Sequence, residues 1–355
     1  MNENYNDSAY GEPDYYELYT KGQIKEARST FSRCHLALVL YIVSAYVAIL
    51  ITEIVMLVTL GKDTALSLIE NNIFVVSLLS FAPSYLVGLP IFLLLTRGMK
   101  TAKREKRKIT FYEFFSLFLI SQVGLVVGST VSEALSSFIS MFKGSPVTNH
   151  TDTLITSMPI WLVLLVTVII APIVEELMFR KVIMDRFSRY GDAVAITVSS
   201  ISFGLFHGNF YQFFYAAILG FILGFIYAKT RNIVYPILMH ALINLVGTLP
   251  SLLISDRLIE FEKMFSDFAN GLSIDMTRFI QNMMIVGSYS VISYTLVIAG
   301  IVMLVSFFKK KKYRIRETFE YKLPKERTAS VVVLNVGTIL FLVLSAATFV
   351  METLS

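Results

Sequence analysis

The stretch WLVLLVTVIIAPIVEELMFRKVIMDR (161–186) decides how this chain has to be read. It begins as hydrocarbon and ends with two adjacent glutamates, Glu175 and Glu176, followed by Arg180. A carboxylate in a bilayer costs about 2.5–3.5 kcal/mol on insertion scales, so an ionisable group there is a functional candidate by default. The surrounding sequence has to show whether the run is a membrane segment and what the acids are for.

Composition answers the first question. Hydrophobic residues make up 55% of the 355, charged residues 16%, and mean hydropathy is +0.65. That leaves too little polar surface for a water-soluble fold. Crossing a bilayer as helix takes about 20 apolar residues. The runs at 36–60, 73–96, 112–141, 158–179, 193–207, 212–228, 233–250, 284–308 and 331–353 predict an all-α polytopic bundle of about nine spans. With the N-terminus in the cytoplasm, nine alternating spans put 1–35, 97–111, 180–192, 229–232 and 309–330 inside. Those stretches hold 26 of the 31 Lys and Arg residues, as the positive-inside rule expects. The net charge of +5 then speaks for topology and for anionic lipid heads at the basic loops, not for nucleic acid.

The start, MNENYNDSAYGEPDYYELYTKGQ (1–23), lacks the basic, then apolar, pattern of a cleavable signal, so the first span is expected to be retained. Cys34 is the single cysteine, which excludes an intrachain disulfide and a thiolate metal site. The chain divides into a cytoplasmic segment (1–35), three spans (36–154), a core of four spans (155–250), an extracytoplasmic segment (251–283) and two last spans with a basic loop (284–355). Within 1–35, residues 21–33 are expected to form a short helix at the headgroups. In SDRLIEFEKMFSDFANG (255–271), apolar residues recur at near-helical spacing, which predicts an amphipathic helix lying on the outer interface.

Polar residues in three core spans carry the chemistry. Adjacent helix positions diverge by about 100°, so Glu175 and Glu176 face different ways. Glu176 and Arg180 are spaced i,i+4, acid first, the favourable order for an ion pair, which leaves Glu175 free to face the bundle. Pro172 is expected to loosen the helix and free a backbone carbonyl. A turn at Gly191 places Glu175 and His207 sixteen residues to either side, at one depth in an antiparallel hairpin. His240 and Asn244, also i,i+4, share a face of the seventh span, with His240 about 13 Å below Arg231.

A buried carboxylate beside an imidazole can activate water, and a second imidazole with a carboxamide can stabilise an oxyanion. The same Glu175, His207 and His240 are also a possible catalytic Zn2+ set, although the H-E-x-x-H spacing is missing.

EELMFR (175–180), FGLFH (203–207) and HALIN (240–244) resemble the EExxxR, FxxxH and HxxxN motifs of the CPBP family of intramembrane proteases (CAAX protease and bacteriocin-processing, or Abi). The resemblance covers about residues 155–250. It implies that Glu175 and His207 activate water, that His240 and Asn244 stabilise the oxyanion, and that Glu176, Arg180 and Phe203 support the site.

It also implies hydrolysis of a peptide bond in a membrane-associated or lipidated substrate near the cytoplasmic face; a composition rich in Ile, Lys, Asn and Tyr suggests a bacterium, with the multi-pass protein in its plasma membrane. Three other classes compete. A proton-coupled transporter would use Glu and His as a relay, but no internal repeat is visible. A b-type haem protein could use His207 and His240, leaving Glu175 and Asn244 unexplained. A non-catalytic scaffold or immunity protein could share the fold.

Overall fold

Inside a bilayer a backbone has to satisfy its own hydrogen bonds, and helices do so within one segment. The computed structural model describes residues 15–102, 105–145, 147, 150–311 and 321–354. It is 87% helical, with no strand among the described residues. Among the described residues, eight helices are long and apolar enough to cross a membrane: α1 (Thr20–Leu60), α2 (Ile73–Thr96), α3 (Phe111–Lys143), α4 (Ile160–Tyr190), α6 (Phe210–Thr230), α7 (Val234–Ala269), α8 (Met276–Lys309) and α9 (Val336–Leu354). A shorter apolar helix, α5 (Asp192–Phe206), sits where the fifth span was expected. The chain is therefore an all-α polytopic helical bundle. Large apolar side chains such as Val58, Leu86 and Met141 stand on its exterior, as lipid-facing positions do.

Two apolar cores meet at α6. One joins Phe31, Leu38 and Tyr41 of α1 to Phe179, Ile183 and Phe187 of α4. The other joins Leu117–Ile120 of α3 to Leu219, Leu223 and Ile226 of α6 and Met239 and Ile243 of α7.

Two sequence expectations are corrected. Residues 20–35 are not a separate headgroup helix but the first turns of α1. Ile24, Ala27, Phe31, Cys34, Leu38 and Tyr41 are all buried at i+3 and i+4 steps, so one continuous stripe packs inward. Residues 255–269 likewise continue α7 without a break and turn back into α8, with Phe261 stacked on Phe279 at 5.4 Å. Pro250 is accommodated inside this helix. Residues 1–14, and 312–320 in the last basic loop, lie outside the described residues.

The α4–α5 hairpin positions the site. Gly191, with φ 120°, makes the turn at the expected residue. At 15 residues α5 runs roughly 22 Å, while α4 is about twice as long and runs past it. The turn after α5 therefore stands level with the middle of α4. Small residues bring α5 and α6 together: a β-carbon on Gly220 would lie 3.0 Å from Ser200 Cα, and one on Gly204 would lie 2.7 Å from the Phe213 carbonyl oxygen.

Candidate active site

α4 is not wound uniformly. Leu164–Ile170 and Leu177–Met184 are π-helical, and the ordinary turn between them, Ala171–Glu176, carries both glutamates. Pro172 explains the first wide segment. The Ala171 N–H reaches back five residues to the Val166 carbonyl, so the next carbonyl, Thr167, would need an N–H from position 172. Proline has none. The Asn244 amide takes its place, donating to the Thr167 oxygen at 2.7 Å. The expected freed carbonyl is thus present, one residue earlier than ordinary helical winding would free it. Asn244 caps it.

Glu176 and Arg180 are fully buried, with Arg180 Nε 3.1 Å from Glu176 Oε2, close but not aligned as a hydrogen bond. Arg180 also donates to the Gly220 carbonyl at 3.2 Å, and its guanidinium lies 4.7 Å over the Phe203 ring. The other Glu176 oxygen is 2.9 Å from His240 Nδ1. An ionised carboxylate only accepts, so Nδ1 is the donating nitrogen. His240 Nε2 points the opposite way, 3.8 Å from Glu175 Oε2. One imidazole thus stands between the diverging acids. Phe203 organises the group from α5: its ring meets His207 edge-on at 5.1 Å and His240 at 5.8 Å.

His207 caps the end of α5. Gly208, with φ 71°, reverses the chain in the left-handed region that favours glycine. Asn209 then donates to the His207 carbonyl at 3.2 Å and caps α6 by accepting from the Gln212 N–H at 2.8 Å. The Gln212 side chain hydrogen-bonds the His207 ring.

Glu175 and His207 line one cavity of about 310 Å³, Glu175 with 16% of its side chain exposed. Its walls come from α1, α2, α4 and the end of α5, including Tyr41, Ser84 and Tyr85, which sequence reasoning missed. His240 and Asn244 do not line it. Among the described residues, no group of three or more His, Cys, Asp and Glu is arranged to hold a metal ion.

A multi-pass helical membrane protein that gathers an acid pair and two imidazoles, Glu176 and His240 buried and Glu175 and His207 facing a cavity, defines the class. Residues 157–246 match the family model Rce1-like, described as type II CAAX prenyl endopeptidase Rce1-like. The match supports assigning the chain to the CPBP/CAAX protease family and, with the membrane helices, supports an intramembrane CAAX-type protease in general. No curated protein and no solved structure matches the chain.

Proposed function

We propose that the protein is an endopeptidase of a bacterial plasma membrane, cutting a membrane-associated or lipidated peptide near the cytoplasmic face. In this reading Glu175 is the general base. It takes a proton from a water held beside His207, and the hydroxide adds to the scissile carbonyl carbon. The C–N bond then breaks as Glu175 returns the proton to the departing amine. Glu176, neutralised by Arg180, fixes the His240 tautomer and leaves Nε2 facing Glu175. The resemblance makes His240 and Asn244 oxyanion donors. Their engagement with Glu176 and the Thr167 carbonyl favours a different part, holding the acid pair and α4 in place.

The observation that carries this reading is that Glu175 and His207, from different helices, face one cavity large enough for a peptide group. The test compares wild type, Glu175→Gln and Glu175→Ala on a panel of membrane-tethered peptides. Both variants should insert and fold yet lose cleavage, because a carboxamide cannot accept the proton. Full activity in Glu175→Gln would remove the general base.

A further inference from the structure

The last span, α9, lies outside the segment 157–246, and the reading above gives it no part. It nevertheless packs on the turn that carries His207. A β-carbon at Gly208 would lie 3.2 Å from Thr348 Oγ1 and 3.4 Å from Thr348 Cβ, so the turn and α9 meet with little room between them. Thr348 Oγ1 donates to the Ser345 carbonyl at 2.9 Å, within its own helix, so its approach to the turn is packing. One residue on, the buried Phe349 sets its ring 4.6 Å from that of Phe210 and 5.8 Å from that of Phe213, in the first turn of α6. The same turn carries Gln212, whose side chain hydrogen-bonds the His207 ring. The other end of α9 is fixed. Thr338 Oγ1 is 2.8 Å from His35 Nδ1, and His35 Nε2 is 3.0 Å from Ser202 Oγ on α5. The Gly337 N–H donates to Ser32 Oγ on α1 at 3.0 Å.

His207 follows the last residue of α5, and Gly208 reverses the chain directly after it. A side chain in such a turn is held by what packs against the turn, not by the winding of a helix. An imidazole that shares a water with Glu175 has little tolerance for displacement, since a shift of about 1 Å can cost 10²-fold in rate. α6 supplies the hydrogen bond to the ring, and α9 supplies the surface against which the start of α6 and the Gly208 turn are pressed. We propose that Thr348 and Phe349 are positioning residues for His207, so that the last span of the chain sets the geometry of a site whose reacting groups lie more than a hundred residues earlier. This assignment rests on the hydrolytic reading, in which His207 holds the attacking water. Neither residue touches the substrate or exchanges a proton.

The test uses the full chain in lipid vesicles, on a membrane-tethered peptide cleaved by wild type. Phe349→Ala should lower kcat by about 10–10²-fold with KM close to wild type. Phe349→Leu, which refills most of the space, should recover most of that loss. Phe118→Ala opens a similar gap in the core between α3, α6 and α7, away from the turn, and controls for stability. It should lower Tm comparably while kcat per folded molecule holds. Phe349→Ala and Gln212→Ala should together cost less than the sum of their separate effects on the activation free energy, because both act through the His207 ring. Where an alanine variant is not recovered folded, Phe349→Val against Phe118→Val makes the same comparison. Equal kcat per folded molecule at both positions, with Glu175→Gln inactive, would overturn the positioning role and leave proteolysis standing. A rise in KM at unchanged kcat would also overturn it, since that signals uniform binding. Strict additivity with Gln212→Ala would overturn the route through α6. Cleavage that does not depend on Glu175 would remove both readings together.

Discussion

The α4–α5 hairpin carries two buried polar clusters, and they are built in opposite ways. Around the Gly191 turn, charge is closed off. Asp185 accepts from Tyr227 at 2.7 Å and from Lys181 at 2.8 Å, and Arg186 donates to the Val182 and Thr96 carbonyls. Arg189 reaches Glu26 at 3.0 Å, and Arg231 pairs with Asp192 while donating to Ser188 at 3.1 Å. These contacts tie α1, α2, α4, α5 and α6 into one register. Around Glu175 the arrangement is open. Glu176 absorbs the arginine and one face of His240, and Glu175 is left with an imidazole nitrogen at 3.8 Å and a void. Buried charges of the same kinds thus serve as fasteners at one end and, at the other, leave one acid facing space where a reactant fits.

The comparison can be broken by substitution, largest effect first. Glu175→Gln should lower cleavage about 10²–10⁴-fold. It should not lower Tm, because no partner is orphaned; a lower Tm would make Glu175 a fastener too. Asp192→Ala should cost about 3–5 kcal/mol, since it strands the buried Arg231 charge. Folded yield in detergent should fall while activity per folded molecule holds. Asn244→Ala should cost about 1–3 kcal/mol by leaving the Thr167 carbonyl without a donor. Its activity loss should track the folded fraction, and a loss of kcat at wild-type Tm would restore Asn244 to the oxyanion. The half-open Lys229–Glu113 pair, 2.9 Å apart, should give the smallest effect: Lys229→Met should change stability by less than about 1 kcal/mol.

Much of the fold was legible because a bilayer admits few solutions. The nine apolar runs and the turn at Gly191 needed only span length and one glycine. The i,i+4 spacing of Glu176 and Arg180, and the proline that frees a carbonyl, were readable because they depend on neighbours along one helix. What stayed hidden depends on packing across helices. Tyr41 and Tyr85 look like ordinary aromatic residues in apolar runs, and nothing near them in sequence points to Glu175. The stripe from Ile24 to Tyr41 was in view but was cut at residue 35, because the charged residues between its apolar positions suited a short helix at the headgroups, apart from the first span. The π segments escaped because periodicity arguments assume 3.6 residues per turn throughout, and the partner of Asn244 lies 77 positions away.

The wide turns on either side of Ala171–Glu176 have a consequence for how such a protein can vary. Each holds a surplus residue relative to regular winding, and the wide turn absorbs it. Deleting a single apolar residue between 164 and 170 would be met by a return to regular winding, with the acids facing much as before. A further inserted residue has no such outlet and would swing Glu175 by roughly 100° about the axis, out of its void, although hydrophobicity and span length would barely change. In this segment, insertions should be far less tolerable than deletions or than exchanges among Leu, Ile and Val.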